Sequence, residues 1–315
     1  MKTIATRLSR SMLFVPASRP EMFKKAFDSC ADVICLDLED SVAIAQKEGS
    51  RAHIVQALKS ADVNKTLMLR INALDTHFAY RDVIEIVEAA GQHLDLIMLP
   101  KVQTARDVHF LDDLLTQIEM HKKMSNRIGI EAQIETASAF MELREIAQSS
   151  ERLEGLIFGS GDYAASMHMP LSSIGAADHH DAHYPGHRWH AVMHAIVAAA
   201  RANGLRCMDG PYANFKDAVE FTASCEIALA MGFDGKQCIH PIQLETANRI
   251  FSPSSEDVYW AKAVMAAYEQ ANSAGNGAIN LNGKMVDAAN IRVAEVIIQR
   301  QQLIERELGK QRSKS

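Results

Sequence analysis

The chain has 315 residues, 48% of them hydrophobic and 23% charged, with a formal net charge of −6 at pH 7. That size suits one large α/β barrel with a small appendage, or two ordinary domains. The acidic balance argues against a nucleic-acid footprint over the surface, and no run of about 18 apolar residues is present to span a membrane.

The basic start, MKTIATRLSRSML, lacks an apolar core followed by a small-residue cleavage site, so no secretory signal is expected. The five cysteines, Cys30, Cys35, Cys207, Cys225 and Cys238, form no C-x-x-C pair. Most lie in apolar surroundings and read as reduced, buried thiols, which fits a cytoplasmic protein.

Short apolar runs follow one another at 11–17, 32–40, 66–72, 95–102, 128–136, 153–162, 205–212 and 233–241. Each is mostly apolar rather than alternating, as strands buried on both faces are. Amphipathic segments separate them, for example 81–92, 139–149 and 217–232. This alternation predicts an α/β fold, a (β/α)8 TIM barrel. An open doubly wound sheet is the competing architecture, but no G-x-G-x-x-G follows the first run.

After His240-Pro241 the pattern changes. A helix from 242 leads to a turn at Ser252-Pro253-Ser254, and a long helix begins at 261. A Gly/Asn-rich stretch at 275–287 reads as a hairpin, and a final helix over 291–308 precedes a basic tail. The boundary is placed at 250. Residues 1–250 form the barrel, and 251–315 form a C-terminal lid or oligomerisation segment too small for its own core.

Nearly every predicted strand ends in polar residues: Ser18-Arg19, Asp37/Glu39/Asp40, Arg70/Asn72, Lys101, Glu135, Asp162, Asp209 and His240. In a barrel those ends meet at one mouth, where this fold places its active site. Glu135 and Asp162, on consecutive strands, are either a pair of Mg2+ ligands facing an oxo-acid or a pair of salt-bridged surface acids. Arg70 emerges from a buried strand and needs a partner. Two compatible roles are binding a carboxylate or enolate oxygen and pairing with Glu39 or Asp40. The acids of LDLEDSV (36–42) read as support for the metal or Arg70, or as direct catalysts. Arg19, Lys24 and Lys25 are either a phosphate site or a solvated helix start. His179, His180, His183, His187, His190 and His194 match no standard zinc spacing, and their segment (178–194) reads as a flexible loop over the mouth that runs into a helix.

The stretches SMLFVPASRPEMFKKAFDSCADVICLDLEDSVA, MLRINALDTHFAYRDV, IMLPKV, IEAQIETA, FGSGDYAAS, GLRCMDGPY, GKQCIHPIQLETANRIFSPS and GAINLNGKMVDAANIRVAEVI resemble the CitE-like branch of the HpcH/HpaI aldolase and citrate lyase family. The resemblance runs from about residue 10 to about 300. It implies a Mg2+-dependent carbon–carbon lyase, Mn2+ being able to replace the ion, that acts on a coenzyme A thioester. A 3-hydroxyacyl-CoA (malyl-CoA or β-methylmalyl-CoA) would yield glyoxylate plus acetyl-CoA or propionyl-CoA. By position, Glu135 and Asp162 match the metal ligands, and Arg70 matches the arginine facing the thioester. Phe14, Arg19 and Lys25 match coenzyme A contacts, and Gly161, Asp162, Ile239 and His240 match substrate contacts. Asp287 matches an acid/base on a C-terminal lid. Arg70, Asp287, Glu39 and Asp40 form the expected catalytic set. The resemblance further implies a homotrimer or hexamer with shared active sites.

The chain departs from the family pattern at DGPYANF (209–215) and GKQCIHP (235–241), and the loop before Trp189 is short and histidine-rich. These changes bear on the substrate rather than the reaction type. A thioesterase releasing malate, a lyase releasing pyruvate from citramalyl-CoA, and a non-catalytic acyl-CoA-binding protein are the competing readings. Retention of Glu135, Asp162, Arg70 and Asp287 together argues against the last.

Overall fold

The computed structural model describes residues 7–61, 64–184, 188–273, 279–281 and 284–312. Eight parallel strands close into a barrel in sequence order. They are β1 (Ser11–Pro16), β2 (Val33–Asp37), β3 (Thr66–Arg70), β4 (Leu96–Leu99), β5 (Gly129–Ile134), β6 (Leu153–Phe158), β7 (Arg206–Asp209) and β8 (Gly235–Cys238). Each sits inside one of the eight apolar runs. Asp37, Arg70 and Asp209 are the last residues of their strands, while Glu39, Asp40, Lys101, Glu135 and Asp162 fall just beyond theirs.

Alternate residues of a strand point into the barrel. Met12, Val33, Cys35, Met68, Leu96, Met98, Ile157 and Met208 make one buried cluster there, with Phe14 packed on it. At the level of Glu131 the interior turns polar. Arg206 pairs with Glu131 at 2.7 Å and Glu154 at 2.9 Å, which satisfies a guanidinium that could not otherwise be buried.

The surrounding helices include Lys47–Ser60, Ala79–Ala90, Ala105–Lys122, His190–Ala202 and Ala218–Met231. The helix at 105 is entered through a capping box, in which Thr104 and Asp107 satisfy each other's backbone N–H groups. The segment after β5 is two short helices, Ala137–Met141 and Leu143–Gln148, interrupted at Glu142. Cys35, Cys207, Cys225 and Cys238 are buried free thiols and Cys30 is an exposed one. Burial raises the pKa of all four buried thiols, so they are held as neutral apolar groups.

The chain divides into two compact units, Ser9–Arg249 and Ile250–Ser315. Within the second, a helix over Ser255–Ser273 starts six residues before the sequence pattern predicts. Ser254 accounts for this: its Oγ accepts from the Asp257 N–H at 3.0 Å, capping the helix. An antiparallel pair follows, β9 (Ile279–Leu281) and β10 (Lys284–Val286), then a helix over Ala288–Arg312. Contrary to the expectation that this segment is too small for a core of its own, Ala261, Val264, Val286 and Ala294 form a buried apolar cluster within it, because the two long helices and the strand pair close on one another. The last three residues of the predicted basic tail lie outside the described residues. Among the described residues no helix is long and apolar enough to cross a membrane.

Candidate active site

The mouth of the barrel is built on register. Asp37 and Arg70 are paired neighbours on β2 and β3, so their side chains leave the sheet on the same face. Arg70 Nε donates to Asp37 Oδ1 and Nη2 to Asp37 Oδ2, both at 2.6 Å, a bidentate fork. Nη1 lies 3.0 Å from Glu39 Oε2. The guanidinium also stands over the Phe14 ring, 4.8 Å from its centroid. Burial would lower the pKa of Arg70, but Asp37 and Glu39 outweigh it and raise it. Burial would likewise raise Asp37, yet Arg70 holds its carboxyl below the usual range. Arg70 is therefore a fixed cation.

The sequence left Glu39 and Asp40 as alternative partners for Arg70. Glu39 does pair with it, but the principal partner is Asp37, and Asp40 turns instead to Lys101 at 3.1 Å. Behind this pair lies a buried polar network that patterning did not signal. Lys47 Nζ donates to the Leu38 and Glu39 carbonyls at 2.9 and 2.7 Å and to Asn72 Oδ1 at 2.5 Å. Asn72 in turn donates to Asp82, which also accepts from Arg51. These bonds fix the chain just beyond β2 and β3.

Glu135 follows β5 and is buried. Its Oε1 accepts the Lys101 backbone N–H at 2.7 Å, and its Oε2 accepts from Gln133 Nε2 at 2.7 Å. Among the described residues no ammonium or guanidinium lies within ion-pair distance of it. Burial first, then the charges of Glu39 and Asp162, push its pKa up to about 8. A β-carbon at Gly159, across the barrel wall, would stand 2.3 Å from Glu135 Oε2, so only glycine leaves room for this carboxylate. Asp162 lies in the first turn of a short helix, Ser160–Ser166, and is half exposed.

This arrangement fits a hard divalent cation. Among the described residues, Asp37, Glu39, Asp40, Glu135 and Asp162 form ion pairs only with Arg70 and Lys101, and the Lys47 ammonium lies near Asp37, Glu39 and Asp40, so two negative charges remain if all five acids are ionised. The donors are all oxygens, as Mg2+ prefers. Gln133 Oε1 is buried beside them without a hydrogen-bond partner among the described residues. Glu135 and Asp162 would hold such an ion, because they are the acids of this group least engaged by protein cations.

Arg19 is exposed and pairs with Glu21, and Lys25 is exposed in the helix Phe23–Phe27. His240 caps the turn after β8 by accepting from the Ile242 N–H at 3.2 Å, and it stacks on Phe215 at 4.4 Å. Ile239 beside it is exposed, and Gly161 precedes Asp162 in the helix at 160. Asp209, expected among the strand-end acids of the mouth, is instead buried against Lys236, its register partner on β8. Asp287 belongs to the second compact unit. It is exposed, and its Oδ1 accepts the Ala289 and Asn290 N–H groups at 2.8 and 3.2 Å.

In the histidine-rich segment, Asp178, His179 and His180 bring ligand atoms within 4.8 Å of one another. Asp178 is already engaged, however, by Arg188 at 3.3 Å and by the Ser172 and His180 N–H groups. Arg188 also binds Asp181 and the Pro170 carbonyl and lies against Trp189, so 170–181 is fastened rather than loose. His187 lies outside the described residues.

Lys101 is the residue that sequence reasoning passed over. It was visible as a polar strand end in LPKV, but nothing local revealed its backbone at φ 50° or its contacts to Glu39, Asp40, Glu135 and Asp162.

A closed β/α barrel whose mouth gathers carboxylates suited to a hard divalent ion is the architecture of a metal-assisted enzyme. Residues 10–241 match the model of the HpcH/HpaI aldolase/citrate lyase family, and the chain belongs to that family. It is 42% identical to the L-malyl-CoA/β-methylmalyl-CoA lyase of Rhodobacter capsulatus over 94% of this chain and 96% of the relative. It is 34% identical to the malyl-CoA/β-methylmalyl-CoA/citramalyl-CoA lyase of Chloroflexus aurantiacus over 90% and 83%. The crystal structure of protein CitE from Mycobacterium tuberculosis, in complex with magnesium, acetoacetate and coenzyme A, superposes with a TM-score of 0.71 at 28% identity, covering 95% of this chain and 99% of that one.

Proposed function

We propose that this chain is a Mg2+-dependent carbon–carbon lyase that reversibly cleaves malyl-CoA or β-methylmalyl-CoA to glyoxylate plus acetyl-CoA or propionyl-CoA. The observation that carries the proposal is the buried Glu135, raised in pKa and without a protein cation, beside the fixed cation Arg70. Similarity along nearly the whole chain, at 42% and 34% identity, to relatives named for those substrates supports the choice of substrate.

A divalent ion held by Glu135 and Asp162 supplies Lewis-acid polarisation of the oxo-acid carbonyl. Arg70 supplies the complementary charge. Asp37 and Glu39 engage three of its five N–H donors, and the remaining donors are available to the thioester oxygen, where negative charge develops as the bond to C3 breaks. Because the fork to Asp37 is rigid, little reorganisation is needed at that moment. Glu39 and Asp40 hold Arg70 and Lys101 in place. In cleavage the C3 hydroxyl gives up its proton as the aldehyde forms and the α-carbon takes one up, so the proton count balances; Asp287 delivers the α-carbon proton in cleavage and removes it in condensation. Its exposed carboxylate, which accepts only backbone N–H groups among the described residues, is free to meet substrate when a lid closes and excludes water. Phe14, Arg19, Lys25, Gly161, Ile239 and His240 complete the coenzyme A and substrate contacts.

We assign residues 251–315 to that lid and the working assembly to a homotrimer or hexamer with shared active sites in the cytoplasm. The helix Ala218–Met231 supports an oligomer, since it is largely apolar yet leaves Val219, Ile227 and Leu229 exposed. The test is to incubate the protein with Mg2+, glyoxylate or pyruvate, and acetyl-CoA or propionyl-CoA, and to identify products by mass spectrometry. Malyl-CoA or β-methylmalyl-CoA from glyoxylate supports the reading. With malyl-CoA supplied in a parallel incubation, free malate plus coenzyme A in place of glyoxylate plus acetyl-CoA identifies a thioesterase, and turnover of pyruvate alone identifies a citramalyl-CoA lyase.

A further inference from the structure

Lys101 occupies a position that an ordinary strand end would not require. It follows β4 with φ at 50°, in the left-handed region that side chains other than glycine rarely adopt. That turn does two things at once. It aims the backbone N–H at Glu135 Oε1, at 2.7 Å. It also carries the ammonium back over the mouth, 2.5 Å from Glu39 Oε1, 3.1 Å from Asp40 Oδ2 and 3.8 Å from Asp162 Oδ1. One residue thus touches acids from the ends of β2, β5 and β6. The contact to Asp162 is the longest of the three and lies beyond hydrogen-bond distance, so it is the one most readily given up.

We propose that the Lys101 ammonium is the resident counter-cation of the acidic mouth, and that a divalent ion draws Asp162 away from it on binding. The inference rests on the reading that Glu135 and Asp162 hold that ion. Lys101 is then a positioning residue with two separable parts. Its backbone orients Glu135 whatever the side chain, and its charge keeps the metal-free mouth from repelling itself open. The same charge opposes the arriving ion, so it also weakens ion affinity and keeps binding reversible.

This makes an unusual expectation for a residue beside the metal: removing the charge should tighten metal binding. Lys101→Met keeps a β-carbon and an unbranched chain, so the backbone at 101 is no more strained than before. Mn2+ binding is read by electron paramagnetic resonance on wild type, Lys101→Met and Lys101→Arg, with thermal unfolding of each metal-free protein. Lys101→Met should bind Mn2+ about tenfold more tightly, a partly exposed neighbouring charge having been removed. It should also melt lower than wild type without metal and regain the difference when Mn2+ is added. Lys101→Arg should restore wild-type behaviour in both. In wild type, acylation of Lys101 followed by peptide mass spectrometry should increase when Mn2+ is present, a readout that needs no variant to fold. Unchanged or weaker Mn2+ binding in folded Lys101→Met, or labelling of Lys101 that Mn2+ does not increase, overturns the inference. Wild-type protein that binds no Mn2+ overturns the metal assignment itself, a separate outcome.

Discussion

Asp37 and Arg70 are register partners on adjacent strands and are joined by two hydrogen bonds of 2.6 Å each, with the Asp37 side chain wholly buried. A buried fork of this kind sets orientation more than it adds stability. Arg70→Lys should leave the fold intact, since an ammonium can still reach Asp37, but it loses the fork. The expected loss in kcat is about 100- to 1000-fold, the range for removing one preorganised donor to a developing oxyanion. Steady-state kinetics beside a urea melt checks this, and an unchanged kcat in a folded variant removes Arg70 from the chemistry.

Asp37→Asn acts through Arg70 rather than on substrate. It leaves a buried guanidinium short of its main counter-charge, at an expected cost of about 3–5 kcal/mol in stability. Equilibrium denaturation measures that cost. A loss near zero would mean that Glu39 alone suffices.

Glu135 illustrates a site held against the preference of the fold. Glu135→Gln keeps the shape and removes a buried charge that its neighbours repel. The metal-free protein should become more stable at pH 8, by about 2–3 kcal/mol, while Mg2+-dependent turnover is lost. Differential scanning calorimetry without metal, paired with an activity assay, tests both halves. A variant that is both less stable and active contradicts the assignment.

The pKa of Glu135 also fixes a direction for pH. Its folded value is about 8 against an ordinary value of 4.5. The folded state therefore holds a proton that the unfolded state has released. Its contribution to stability is fully present below pH 4.5 and is lost progressively as pH rises towards 8. Without metal, the contribution of Glu135 to the melting temperature should fall across that window, and Glu135→Gln should flatten the profile there. Ion binding must displace the same proton, so apparent Mg2+ affinity should rise by roughly tenfold per pH unit below about 8 and then level off. Calorimetric titrations at pH 6, 7 and 8 decide it.

Asp287→Ala should abolish turnover, leave Mn2+ and coenzyme A binding unchanged, and stop exchange of the acetyl-CoA methyl protons with solvent deuterium. The exchange experiment isolates the proton transfer from bond cleavage. Undiminished exchange would move the acid/base role to another residue.

Much of the barrel was readable before any coordinates, for a physical reason. Strands covered on both faces appear as continuous apolar runs, and all eight runs contain a strand. The strand-end acids and Arg70 were readable because charge on a buried strand demands a partner. The choice of partner was not. Asp37, Glu39 and Asp40 are close in sequence, and only the register of β2 on β3 gives Arg70 to Asp37 and leaves Asp40 for Lys101. The early helix start at Ser255 depends on local capping by Ser254, which periodicity does not record, and nothing in the side-chain contacts explains the break at Glu142. The fastening of 170–181 by Arg188 joins residues up to 18 apart and had no local signature.

The most direct test is a crystal structure of the protein grown with Mg2+ and oxalate. The expected result is one ion bound by a carboxylate oxygen from each of Glu135 and Asp162, with oxalate chelated to it and facing Arg70. An ion bound elsewhere, or an Asp162 carboxylate still turned to Lys101 with oxalate not on the metal, would contradict the account.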